Sequence, residues 1–231
     1  QSWPNRTVCW RGPDNPMSAP IPSIGSRSDA EAFLDDRIGH GVQPGLERIT
    51  GLMEFLGDPQ TSYPTILVAG TNGKTTTERM VQQILGAHGL TTGTFTSPHL
   101  HTIEERFTIR GASIDPERFT EAVRDIAWFV VGYEEEAGTP VTYFEVTAAL
   151  AFSLFAAEVV DVGIVEVGLG GRLDATNVLD AEVCVLTGVD YDHMEYLGST
   201  IEEITTEKVA IVGEDGTLVT GRLPEEAVTP V

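Results

Sequence analysis

The stretch "VAGTNGKTTTERM" (68–80) holds the residues best suited to chemistry. An apolar run, "TILVAG" (65–70), leads into Gly70, Thr71, Asn72, Gly73, Lys74, Thr75 and Thr76, and a helical pattern follows. Strand, loop and helix in that order form the setting of a phosphate cradle. Gly70 and Gly73 let the backbone approach phosphate oxygens, successive N–H groups and the helix N-terminus attract an anion, and Lys74 adds a compact positive charge. The general phosphate loop has a further glycine five residues before the second one, where this chain has Val68. An ordinary strand-to-helix turn would read the same way, so the string alone does not decide.

Four more residues stand where a sheet would gather ligands. Glu166 lies in "GIVEVGLGG", an apolar run in which an unpaired carboxylate is costly. It suits Mg2+ beside a phosphate loop, and it would equally suit a pair with Arg172. Ser97 opens "TSPHLHTIEER" just after an expected strand, as a metal ligand or as a simple cap. His193, in "GVDYDHMEYLG", is a metal ligand or a structural histidine. Lys208, in "ITTEKVAIV", is a helical lysine with apolar flanks. Of the 14 Lys and Arg residues, only Lys74 and Lys208 are lysine. A chain that otherwise uses Arg and keeps two amines points to chemistry a guanidinium cannot perform. No Ser-His-Asp or Cys-His arrangement stands out.

Elements that alternate in type would position these groups. Helices are expected over 28–38, 44–59 (Pro44 near its start), 74–89, 114–138, 143–158 and 200–212, and strands over 65–70, 90–96, 160–168, 181–189 and 216–221. In the helix after the cradle, Met80, Val81, Ile84 and Leu85 mark the expected apolar face. The run 143–158 is apolar nearly all round, as in a buried helix. The pattern predicts an α/β fold with a doubly wound, mostly parallel sheet and ligands beyond the strands' carboxyl ends. The 231 residues include 35 Asp and Glu, for a net charge of −21, which opposes nucleic acid and anionic membrane and resembles a salt-adapted surface. Cys9 and Cys184 show no metal or disulfide spacing, which fits a cytoplasmic protein. Residues 1–27 are expected to be a poorly ordered segment, with 1–16 upstream of a start at Met17, and 28–231 to form the ligand-binding domain.

Together "PGLERI", "VAGTNGKTT", "TSPHL…ERFTIRG", "YFEVTAALAF", "VDVGIVEVGLGGRLDATNV" and "DHMEYLGSTIEEITTEK" resemble the folylpolyglutamate synthase/dihydrofolate synthase family of the Mur ligase superfamily. That family's loop also lacks the first glycine. Thr75-Thr76 stands here for its usual Gly-Ser, and "EKVAIV" for "EKAGI". The resemblance implies that Gly70–Thr76 hold ATP phosphates, that Ser97 and Glu166 bind one Mg2+ and His193 a second, and that CO2 carbamylates Lys208. It implies that Lys74, Lys208, His193 and Glu166 serve catalysis, and that Phe144, Asp174 and Ala175 face a pterin. A loop near "GLERI" would cover the substrate, and Glu145 is given no role.

The implied reaction joins L-glutamate to dihydropteroate or a folate through an acyl phosphate, in a monomer with no nucleic-acid or membrane partner. The "GGRLDATN" string favours folates over the amino-acid substrates of other Mur-type ligases. A different phosphate-loop NTPase or a non-catalytic Mg-ATP module are the readings from other classes. The resemblance further implies a truncated chain without the glutamate-binding C-terminal domain, inactive alone.

Overall fold

The computed structural model describes residues 22–231. Most of the expected N-terminal segment therefore lies outside the described residues. Its last part, 22–27, is ordered rather than loose: Ile24 is buried, its carbonyl accepts from Arg124 Nε at 2.7 Å, and Ser26 forms a reciprocal cap with Asp29. That cap opens α1 (Arg27–Asp35) by satisfying two N–H groups the helix cannot.

The elements follow as α2 (Glu47–Phe55), β1 (Thr65–Ala69), α3 (Lys74–Ala87), β2 (Thr92–Phe95), β3 (Phe107–Ile109), β4 (Ala112–Ser113), α4 (Pro116–Ala137), α5 (Tyr143–Ala157), β5 (Val162–Glu166), β6 (Val183–Leu186), α6 (Met194–Leu197), α7 (Ile201–Val209) and β7 (Thr217–Thr220). The seven strands form one sheet in the order β4-β3-β2-β5-β1-β6-β7. From β2 to β7 all pairs are parallel, whereas β3 and β4 are antiparallel at one edge. The expected α/β, mostly parallel sheet is thus present. The helix expected over 44–59 is shorter: Gly45, at φ 143°, lies outside helical space, so α2 starts only at Glu47 and Pro44 stays in a loop.

Alternation along β2 assigns the two faces of the sheet. Thr94 and Thr96 point to the α3 side, where Thr96 Oγ1 donates to Glu78 at 2.7 Å. Gly93 and Phe95 point to the α5 side, with Phe155 packed over Gly93 and Phe95 5.9 Å from the Phe144 ring. As its pattern requires, α5 is buried from Glu145 to Phe155. Phe152 and Phe155 are 0% exposed, each worth about 2–3 kcal/mol of apolar burial. Helices α1, α2 and α4 pack outside α5, so the cradle helix and the buried helix flank the sheet on opposite sides.

This order puts β1 between β5 and β6, in the middle of the five parallel strands. The segments leaving β1, β2, β5 and β6 at their carboxyl ends begin at Gly70, Thr96, Val167 and Thr187. Four chain segments far apart in sequence meet at one edge because parallel strands all end on the same side.

Candidate active site

The turn from β1 to α3 is braced before any ligand arrives. Gly70 takes φ 145°, and a Cβ there would collide with Thr187 Oγ1. Thr187 Oγ1 donates to the Asn72 carbonyl at 2.6 Å and lies 3.2 Å from that of Ala69. Thr71 N donates to the Gly188 carbonyl at 2.9 Å, and Thr71 Oγ1 lies between the Asp190 N–H and carbonyl, at 3.0 and 3.2 Å. With the Ala69 and Asn72 carbonyls and the Thr71 N–H all held from behind, the N–H groups at the uncapped start of α3 are the ones left to meet an anion. Gly73, at φ 83°, caps α3 with no side chain in the way, while Asn72 and Thr76 are exposed.

Lys74 folds back over the loop, donating to the Gly70 carbonyl at 2.9 Å and lying 4.0 Å from Glu166 Oε1. Glu166, the last residue of β5, is 3% exposed. Burial raises its carboxyl above the ordinary value, and the Thr75 hydroxyl at 2.9 Å, the Lys74 charge and the Ser97 N–H act against that shift. Lys74, Thr75, Ser97 and Glu166 therefore meet at one place. The pairing with Arg172 does not occur: Arg172 binds Glu207 at 2.9 Å. The carboxylate and hydroxyl oxygens at this place are hard donors. Among the described residues no three His, Cys, Asp or Glu side chains cluster into a cage. A cation at Glu166 would take its other ligands from phosphate oxygens and water, as Mg2+ does, so the donor set fits that ion.

Lys208, on α7, is 4% exposed. Its ammonium is pushed down to about 8, first by burial and then by the Lys74 charge, with Asp192 and Asp174 pulling the other way. The two lysines thus share one electrostatic environment. His193 is less engaged: it takes φ 47°, half its side chain is exposed, and its Nε2 lies 3.6 Å from Asp192 Oδ2. Asp192, between His193 and Lys208 in its interactions, is a residue that the lysine count and strand-end argument missed.

Beside this centre lies a cavity of about 460 Å³, lined by Gly41–Gly45, Ser97 and Pro98, Arg106, Thr142–Glu145, Gly168–Ala175 and residues of α6 and α7. Phe144 forms part of its wall, packed so closely on Gly168 that a side chain there would not fit. Ala175 lines it too. Asp174 also reaches the lining, but its carboxylate is occupied: Oδ2 accepts from Leu169 N at 2.8 Å, and Oδ1 from Thr176 N at 2.9 Å and Thr176 Oγ1 at 2.5 Å. It shapes the 168–176 loop, and burial raises it above the ordinary range. Glu145, which carried no role in the sequence reading, accepts from Arg48 Nε at 3.0 Å and caps α5 through Thr142 N at 2.7 Å. Arg48 also donates to the Gln43 carbonyl, tying the 41–46 loop to the cavity wall. Three sequence-distant pieces meet there, and only the loop's link to a covering segment was legible beforehand.

Comparison with known proteins agrees with this fold. The Mur ligase middle domain matches residues 68–221. The Mycobacterium tuberculosis dihydrofolate synthase/folylpolyglutamate synthase is 42% identical over 214 residues, covering 87% of this chain and 44% of that protein. The structure of M. tuberculosis folylpolyglutamate synthase complexed with ADP and AMPPCP superposes with a TM-score of 0.81 at 42% identity, over 90% of this chain and 47% of that one. An Escherichia coli structure in complex with DHPP and ADP gives 0.81 at 33% identity, over 92% and 50%. The chain spans about half the length of the relatives it matches. From the cradle at Gly70 to the strand β7, it belongs to the Mur ligase family and carries that family's middle domain.

Proposed function

We propose that the protein acts in ATP-dependent formation of an amide between L-glutamate and dihydropteroate or a folate, as a carbon–nitrogen ligase. The observation that carries this reading is Lys74 beside Glu166, with buried Lys208 within reach of the Lys74 charge, next to a cavity whose lining shares Ser97 with that pair. Phosphate chemistry and a cavity walled in part by Phe144 then share Ser97. The relatives named above, one complexed with ADP and AMPPCP and another with DHPP and ADP, support it.

The acceptor's carboxylate oxygen attacks the γ-phosphorus of ATP, forming an acyl phosphate and releasing ADP. The glutamate amine then attacks the acyl carbon, phosphate leaves with the bonding pair, and the amine's proton passes to solvent. The Gly70–Thr76 backbone and Lys74 hold the phosphates and neutralise their charge, so catalysis is mainly positioning. Ser97 and Glu166 would hold one Mg2+, and His193 with carbamylated Lys208 a second; these ions would supply charge neutralisation at the transferring phosphate. Lys208 is suited to carbamylation because burial favours its neutral amine, the form that attacks CO2 and loses a proton to become a carboxylate. Phe144 and Ala175 face the pterin ring. Asp174, whose oxygens already serve the loop, presents it with a fixed wall.

We place the protein in the cytoplasm as a monomer, with neither nucleic acid nor membrane as a partner. Among the described residues no helix is long and apolar enough to cross a membrane, and the −21 charge repels polyanions. A non-catalytic Mg-ATP module or another phosphate-loop NTPase gives no account of the cavity together with a buried amine, and the "GGRLDATN" string favours folates over the substrates of another Mur-type ligase. ADP release by the complete gene product tests the reading. Release should require both dihydropteroate or tetrahydrofolate and glutamate, and ATP turnover indifferent to both would sink it.

A further inference from the structure

One cation in the cavity wall lacks a counter-charge. Arg106 lines the cavity and is 8% exposed. Its Nε donates to His99 Nδ1 at 2.9 Å, and its guanidinium carbon lies 5.4 Å from the centre of the Tyr143 ring. Among the described residues no carboxylate pairs with it, although Arg27, Arg37, Arg48, Arg118 and Arg172 all have Glu partners. In a chain of charge −21, an unpaired and nearly buried guanidinium is an exception. Burying a charge without a partner is unfavourable, and a fork of donors facing a cavity relieves that cost when an anion enters.

The position adds direction. The Arg106 carbonyl accepts from Thr96 N at 3.0 Å, so this residue sits across the β2–β3 ladder from the segment that carries Ser97. Ser97 borders both the cavity and Glu166. Arg106 therefore joins the cavity wall from the strand beside the Ser97 segment. Tyr143 backs its flat face and the His99 ring fixes its Nε, which leaves the Nη groups as the donors free to serve a ligand.

We propose that Arg106 is the receptor for the acceptor's carboxylate, clamping it by a forked pair of hydrogen bonds next to Ser97 before phosphoryl transfer. The inference rests on the pterin-acceptor reading above and adds the group that selects an acid over a neutral analogue. A bidentate guanidinium–carboxylate pair fixes orientation as well as charge, so it suits an oxygen that must attack phosphorus in line.

Equilibrium dialysis of this chain with pteroate and with its carboxamide, pteroamide, tests it. Wild type should bind pteroate about tenfold or more tightly than pteroamide. Arg106→Gln should lose that preference while binding pteroamide within about twofold of wild type, and Arg106→Lys, which keeps charge but not the fork, should fall between. Equal binding of the two ligands by wild type overturns the Arg106 role and leaves the acceptor reading standing; it needs no variant, so a failure of Arg106→Gln to fold does not shelter the proposal. A preference that persists in folded Arg106→Gln also overturns it. Binding of neither ligand overturns the acceptor reading itself, and the clamp with it.

Discussion

Two loops border the reaction centre, and they are held in opposite ways. The 70–73 cradle is fastened to the end of β6 at three places, through Thr71, Asn72 and the Ala69 carbonyl, and Thr187 fills the space beneath Gly70. The 41–46 loop on the other side of the cavity is mostly exposed. It is fixed by Arg48, which bridges the Gln43 carbonyl and Glu145, and by a long contact of 3.4 Å from Gly45 N to the Leu173 carbonyl. The backbone is rigid where phosphate charge must be met without reorganisation, and lightly tethered where a flat substrate must enter.

The strongest break of this contrast is at the cradle's charge. Lys74→Ala should lower ATP turnover in the complete gene product on the order of 10²–10³-fold, as removal of one electrostatic stabiliser does elsewhere. Turnover within a few-fold of wild type would mean that the cradle does not hold the transferring phosphates. A subtler break removes the brace and leaves the charge. Thr187→Val keeps the shape but loses the hydrogen bond to Asn72, so ADP affinity measured by calorimetry should fall about tenfold, while Thr187→Ser retains most of it. If valine binds ADP as wild type does, the cradle is organised by its own turn and not by β6.

The tether should behave differently. Glu145→Gln weakens the Arg48 bridge, whose side chains are 16% and 4% exposed, without touching the phosphates. The acceptor's KM should rise several-fold with kcat within about twofold, and amide exchange in 41–46 should speed up. An equal loss in kcat would place Glu145 in the chemistry instead of the loop's latch.

What could be read from the chain follows the same division. The strands and the buried α5 were legible because apolar runs bounded by glycine and capped helices dictate them locally. Lys74, Glu166 and Lys208 were legible because the rarity of lysine and the carboxylate in an apolar run are visible without coordinates. The β3–β4 hairpin was not, since strands of three and two residues carry too little periodicity. Nor was the Arg48–Glu145 bridge, which joins residues 97 apart. The inward face of α3 was half misread. Val81 and Leu85 are partly covered, but Met80 and Ile84 are 60% and 59% exposed, while Glu78 and Gln82 are buried. An apolar period marks the inner face only if the surface it meets is apolar, and here Thr94 of β2 and Thr96 just beyond it face Glu78 of α3.

That misread face yields an effect on stability instead of turnover, and a clean test of the cradle's rigidity. Glu78 follows Lys74 by one turn and is 0% exposed. Its Oε2 accepts from Thr96 Oγ1 at 2.7 Å, and its Oε1 has no hydrogen-bond partner. Its carboxyl is pushed up to about 8 by burial, with the nearby Glu166 charge adding to the rise, and Thr96, Thr94 and Arg79 opposing it. Between its ordinary value of 4.5 and about 8, the folded state keeps a proton that the unfolded chain has released. Stability must therefore fall as pH rises through that window, by at most about 1.4 kcal/mol per pH unit from this group. Glu78→Gln removes the proton from the balance. Urea midpoints at pH 5, 6.5 and 8 should show the variant gaining on wild type at each step upward. Parallel curves would mean that Glu78 ionises in place, with the helix beneath the cradle yielding to admit water, and the rigid loop would then rest on a softer support than its hydrogen bonds suggest.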